Sequence, residues 1–321
     1  MQPPTTTNPA IEIRDAPSGG LGLFSKTLLK QGALVLQEPP IILVSTTHLP
    51  GPKTTWLQVM HEMRKGTLPP HHVTEAMNHL TQDQLDTFRA SCTYARDDVH
   101  RFHIISFDIC PVFGGPPSAF AATPDGLFLN HSCVGNLLYS WDEASGTVHL
   151  RAVQDIPAGE QLCLCYFVDW GWLGSEARKG EMFRIYDFEC GCPLCGGESG
   201  VVRKSDGLRE VIRTLQARLE EFVLSRDRDA YAQGIFDDAL RYIDLVEQEV
   251  GGVNLETGLP FRADVRLAAA YRLASKCMEN AEDARELREK ATEISRLAFG
   301  PDSPHVAMQD RLFEEWCTKG L

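Results

Sequence analysis

Three cysteines fall within the six-residue stretch Cys190-Gly191-Cys192-Pro193-Leu194-Cys195. Thiolates at this spacing can wrap one tetrahedral zinc ion through tight local turns, which Gly191, Pro193, Gly196 and Gly197 permit. Tetrahedral coordination needs a fourth donor, and no further Cys or His lies beside the triplet. Cys133 is the natural candidate. It ends the polar, turn-like tetrad Asn130-His131-Ser132-Cys133, which follows the short apolar run Leu127-Phe128-Leu129. A metal is expected because an exposed triplet of free thiols would otherwise be an oxidation liability. The competing reading is a cysteine-bearing loop without metal. The other six cysteines, Cys92, Cys110, Cys163, Cys165, Cys277 and Cys317, are scattered or sit in apolar surroundings and read as buried or idle thiols.

These residues need elements to hold them. From Ile11 to about Gly200 the chain is a succession of short apolar runs broken by Gly and Pro: LGLFSKTLL, ALVLQE, IILVS, LLYSWD, TVHLRAV and QLCLCYF. Their length and β-branched content predict strands. Between Thr54 and Phe102 the segments TTWLQVMHEMRKG and TQDQLDTFRASCTYA have helical spacing and predict an inserted helical section, about residues 45–105. GGPPSAF and IPAGE read as turns or loops, GGESGVVRKSDG as a linker, and MQPPTTTNPA as a disordered lead-in. From Leu208 onward five segments place apolar residues at i, i+3, i+4 and i+7, predicting amphipathic helices. Short connections suggest a helical-hairpin stack of tetratricopeptide-like type, although the signature positions of that repeat are incomplete. The expected fold class is α+β, a β-rich domain followed by an all-α domain. The expected boundaries are 1–10 lead-in, 11–170 β-rich domain, 171–200 cysteine segment and 201–321 helical domain.

Composition narrows the function. The chain has 321 residues, 43% hydrophobic and 23% charged, with ten cysteines and a net charge of −13. Such acidity argues against direct nucleic-acid binding, which needs clustered Lys and Arg. It suits a basic partner better. No apolar run is long enough for a membrane span, and the N-terminus lacks the pattern of a secretory signal. An intracellular protein, nuclear or cytoplasmic, with unpaired cysteines is expected.

Four motifs in order carry a family resemblance. Asn130-His131-Ser132-Cys133 resembles the Asn-His-Ser-Cys motif of SET-domain lysine methyltransferases. DIPAGEQLCLCYF is similar to the family's Gly-Glu-x-Leu-x-x-x-Tyr segment, here running from Gly159 and Glu160 to Tyr166, GGLGLFSKTLLKQGALVLQEPP to the N-terminal SET segment, and FECGCPLC to the post-SET module. The match spans roughly Ile11 to Gly197. The insert, the Cys-x-Cys-x-x-Cys form and the C-terminal helices resemble the SMYD-like branch. Between Ser45 and Phe102 there is only Cys92, so the zinc-binding MYND finger usual in that insert is expected to be missing.

The resemblance implies a fold of small sheets with a pseudoknot-like core. It also implies S-adenosyl-L-methionine as cofactor and transfer of methyl to a lysine of a histone or other protein. Gly19, Gly20, Leu21 and Gly22 would form the cofactor turn. Asn130 and His131 would contact the cofactor and Phe188 would lie against its adenine. Tyr166 would be the catalytic hydroxyl beside the transferred methyl, with Phe167 walling the lysine channel. Cys133, Cys190, Cys192 and Cys195 would share one structural zinc. The family commonly has proline two residues after the motif cysteine; Gly135 stands there in this chain and leaves that loop less stiff. The partner expected is a protein substrate with a lysine in a basic context, and the protein itself is expected to be a monomer. The rival from another class is a SET-derived interaction module with weak catalysis, docking partners through its C-terminal helices. Retention of Tyr166, Asn130 and His131 together favours the enzyme.

Overall fold

The structure is a computed structural model that describes residues 6, 8–48, 70–110, 117–166, 172–225, 234–251 and 262–319. The segment TTWLQVMHEMRKG and Phe167 lie outside the described residues. The chain divides into two compact units, Met1–Leu164 with Glu181–Glu189, and Cys165–Gly180 with Cys190–Leu321.

In the first unit, alternating burial makes Ile11–Asp15 a strand, β1, with Ile11 and Ile13 inward. It pairs antiparallel with β2, Leu21–Ser25, across the turn Ala16–Gly20. The described residues next to β1 are tied to the sheets by hydrogen bonds. Asn8 Nδ2 donates to the Val35 carbonyl at 2.6 Å, and the Lys26 amide donates to the Ala10 carbonyl at 2.7 Å. A polar segment stays ordered when its own amides find backbone partners.

β3 (Leu34–Glu38), β4 (Ile42–Ser45), β5 (Phe107–Ile109), β6 (Ala119–Ala122), β7 (Asn130–His131), β8 (Leu137–Asp142), β9 (Thr147–Ala152) and β10 (Cys163–Leu164) follow in chain order. They form a three-stranded sheet, β4-β6-β5, and a five-stranded sheet, β3-β9-β8-β10-β7. The end of GGPPSAF is therefore strand, not loop. Ala119–Ala122 is buried at every position and pairs on both sides, which fixes it in the sheet despite the neighbouring prolines. QLCLCYF supplies only the short β10. That strand lies parallel to both β7 and β8, between two strands that are separated in sequence only by Ser132–Asn136. This threading is the knot-like core of the unit. Leu150, Leu162 and Ile156 beneath it are fully buried, and truncating any one to Ala should cost about 2–5 kcal/mol.

Among the described residues, three helices of the insert precede β5: α1 (Pro70–Met77), α2 (Gln82–Ser91) and α3 (Asp98–Ile105). Thr81 and Gln84 close a capping box at the start of α2, and Asp97 caps α3 by accepting from the His100 amide at 2.7 Å. After β10 come α4 (Ser175–Tyr186), α5 (Pro193–Gly196), α6 (Ser199–Leu224), α7 (Ile235–Val250), α8 (Val265–Ser275), α9 (Ala281–Phe299) and α10 (Pro304–Lys319). From α6 on, each helix packs on the next. The predicted linker is overturned, because α6 begins at Ser199 and runs through Val201–Gly207. Its buried stripe of Ser205, Arg209, Ile212, Leu215, Leu219 and Phe222 keeps helical spacing. Gly200 and Gly207 lie on its open side, where a glycine costs about 1 kcal/mol and no packing. No helix among the described residues is long and apolar enough to cross a membrane.

Candidate active site and metal centre

The glycine turn is built by backbone and held by side chains. Gly19 and Gly20 take φ of +92° and +70°, which an L side chain resists. The Ala16 amide closes the turn on the Gly20 carbonyl at 2.9 Å. Two residues on, a Cβ at Gly22 would come within 2.6 Å of Gln161 Nε2 and 2.9 Å of Asn130 Nδ2. Asn130 Nδ2 donates to the Leu21 carbonyl at 3.0 Å. The motif asparagine and the glycine turn therefore meet, at a point where Gln161 Nε2 is buried without a hydrogen-bond partner. A cradle that any side chain would fill, lined by an orphaned donor, fits a polar ligand.

His131 follows on β7. Its Nε2 lies 3.4 Å from Cys133 Sγ, and its ring faces Phe188 with centroids 6.2 Å apart. Phe188 in turn stands 6.3 Å from Tyr186. Cys133, Cys190, Cys192 and Cys195 bring their sulfurs within 4.8 Å of one another. Tetrahedral Zn–S bonds of about 2.3 Å require sulfurs about 3.8 Å apart, so the donor set fits zinc with little adjustment. Four thiolates close the coordination sphere and leave no position for water.

Tyr166 belongs to the second unit, two residues beyond the end of β10, and is half-buried. The residue before it, Cys165, lies within electrostatic reach of Arg262 and Arg266. Those guanidiniums grip Asp264, at 3.2 and 2.7 Å. Burial alone would raise the Asp264 carboxyl, but the two cations outweigh it and hold the group far below the usual range.

Several positioning residues carry no sequence signal. Asn136 donates to Glu160 Oε1 at 3.1 Å and to the Gln161 carbonyl at 2.8 Å, and accepts from the Cys163 amide at 2.9 Å. It thereby fixes β10 beside β8. Glu38, 4% exposed, accepts from the Asp125 and Gly126 amides at 3.1–3.2 Å and caps the short turn that leads into Asn130. Burial and the charge of Asp125 push its carboxyl above the usual range. In the second unit Arg178 Nη2 donates to the Leu194 carbonyl, inside the cysteine loop, at 2.7 Å. These roles follow from which buried backbone groups need a partner, and that is known only once the chain is folded.

Comparison with known proteins places the same segment. The family model of the SET domain matches residues 20–167. The chain is 25% identical over 202 residues to the histone-lysine N-methyltransferase set5 of Schizosaccharomyces pombe, covering 60% of this chain and 52% of that one. It is 35% identical over 80 residues to the protein-lysine N-trimethyltransferase SMYD5 of Mus musculus, covering 23% and 19%. The chain thus spans about half the length of the first relative and less of the second. Among solved structures, the SET domain of LSMT bound to lysine and AdoHcy aligns with a TM-score of 0.34 at 13% identity, over 98% of this chain and 88% of that one. The chain carries a SET domain at residues 20–167, similar to that of the SMYD proteins.

Proposed function

We propose that this protein is a protein-lysine N-methyltransferase that takes its methyl group from S-adenosyl-L-methionine. The observation that supports the reading most directly is the meeting of Asn130 with the Gly19–Gly22 turn, with His131 facing Phe188 one residue further on. These are the positions that the SET resemblance assigns to the cofactor. Bound S-adenosylmethionine would supply an electrophilic methyl on a sulfonium sulfur.

The chain's own residues would do the rest. Gly22 and the Leu21 backbone admit the ligand closely, Asn130 and Gln161 offer amides to its polar groups, and Phe188 walls its ring. Displacement at a methyl carbon needs the neutral lysine amine, methyl and leaving sulfur in line, so catalysis is mainly alignment. The Tyr166 hydroxyl would accept from the incoming amine and hold it in line, without a covalent intermediate. Cys133, Cys190, Cys192 and Cys195 would hold zinc as a structural clamp on the segment that carries Phe188. The net charge of −13 supports a substrate lysine in a basic protein segment.

Labelled methyl transfer from S-adenosylmethionine to core histones and to a whole-cell extract tests this, with Tyr166→Phe beside the wild type. Label on a protein band, reduced about a hundredfold or more in the variant, is the expected result. A zinc-loaded protein that binds cofactor yet labels nothing would favour a docking role, and one that binds no cofactor would end the enzyme reading.

A further inference from the structure

Asp187 is the one described non-glycine residue with positive φ, at +56°. It directly follows α4 and directly precedes Phe188. The left-handed conformation costs most L residues about 1–2 kcal/mol, and Asp tolerates it better than most. The turn is what ends the helix: the Asp187 amide closes on the Phe183 carbonyl at 3.1 Å, and the chain then leaves the helix axis through Phe188.

The carboxylate of this strained residue meets the helical insert. His100 Nε2 lies 3.5 Å from Asp187 Oδ2. His100 is itself held on its other side, because Nδ1 accepts from the Arg96 amide at 3.2 Å and faces Arg96 Nε at 3.4 Å. With Nδ1 an acceptor, the ring proton sits on Nε2, the nitrogen on the side of the carboxylate. Burial, then the Arg96 charge, favours the neutral ring. The backbone of His100 is fixed as well, since its amide is bound to the α3 cap Asp97. Arg101, also on the insert, adds positive charge beside His100, and burial, helped by the Asp187 charge, keeps the Tyr94 phenol neutral.

We infer that His100 and Asp187 form a latch by which the helical insert positions Phe188 against His131, and so sets cofactor affinity. His100 and Asp187 are positioning residues. Neither touches the ligand, and each acts through the direction the chain takes into Phe188. The inference rests on the proposed cofactor role of Phe188.

Substitutions separate the carboxylate from the backbone turn. Asp187→Gly keeps the left-handed turn and removes the latch, Asp187→Asn keeps both the turn and an acceptor, and His100→Phe removes the donor while filling the space. Equilibrium dialysis of the full-length, zinc-loaded protein would give dissociation constants for S-adenosylmethionine and S-adenosylhomocysteine. Amide exchange across Tyr186–Glu189 would be read without ligand. Asp187→Gly and His100→Phe should weaken both ligands about five- to tenfold, the loss of one oriented polar contact, and should speed exchange of the Phe188 amide. Asp187→Asn should stay near wild type. KM for the cofactor should rise while kcat and KM for the protein substrate hold, a split that general destabilisation does not produce. Unchanged affinity and exchange in His100→Phe would overturn the latch. A wild-type protein that binds neither ligand would overturn the cofactor reading itself, and exchange that still responds to His100→Phe would tell that failure from the first.

Discussion

At the scale of single residues, two glycines with opposite surroundings make a controlled pair. A Cβ at Gly22 would meet two side-chain amides at under 3 Å, whereas one at Gly200 on α6 would meet nothing within 4 Å. Gly22→Ala must displace Asn130 or Gln161, breaking the Asn130 bond to Leu21. It should lose cofactor affinity by tenfold or more and cost about 1–3 kcal/mol in a urea titration. Gly200→Ala should instead raise stability by about 0.5–1 kcal/mol, through helix propensity and a less disordered unfolded chain. Equal effects at the two positions would mean that the cradle is not built as described. The sequence marks these residues unevenly. The cysteines stand out because thiols at that spacing have few other uses, and Asn130 stands out beside them. Asn136 does not, since its three hydrogen bonds exist only after β10 has threaded between β7 and β8.

At the scale of elements, pattern reading located β2, β3, β4, β8 and β9 from the length and β-branched content of their apolar runs, and the C-terminal helices from their period. It failed where burial is complete or composition misleads. Ala119–Ala122 is apolar throughout and shows no alternation, and α6 starts in a glycine- and serine-containing stretch that looks like a connector. The β7 segment is set by something sequence patterns do not show. Glu38, from β3, places its carboxylate under two amides of the turn before Asn130. Glu38→Gln keeps shape but offers one acceptor in place of two and turns an NH₂ toward a donor. The variant should lose about 1–3 kcal/mol, and β7 amides should exchange faster than those of β9. A uniform rise in exchange across the sheet would show that Glu38 supports general stability and not this turn.

At the scale of the whole molecule, each unit carries a histidine whose pKa burial lowers to about 4, and acid should therefore loosen both. His103, on α3, has its Nε2 buried without a hydrogen-bond partner, and burial, then the nearby His100, lowers its pKa to about 4. His305, on α10, stacks 4.2 Å from Phe299 and is likewise lowered to about 4, by burial and then by Arg272. Unfolded histidine titrates near 6.5. Below that pH the unfolded chain takes up a proton that the folded unit refuses, so stability falls as pH falls. Above it neither state binds the proton, and stability is flat in this term. The loss should amount to about 1.4 kcal/mol per pH unit per histidine between 6.5 and about 4. Amide exchange of α3 and α9, measured at pH 7 and pH 5 after correction for intrinsic rates, reads the two units separately. His103→Leu should flatten the pH dependence of α3 alone, and His305→Leu that of α9 alone. If both slopes survive His103→Leu, the acid response of the first unit comes from other groups, of which His100 and His149, also lowered by burial, have the right sign. Glu38 cannot be the source, because its raised pKa gives a contribution of the opposite sign: present at low pH and lost as pH rises.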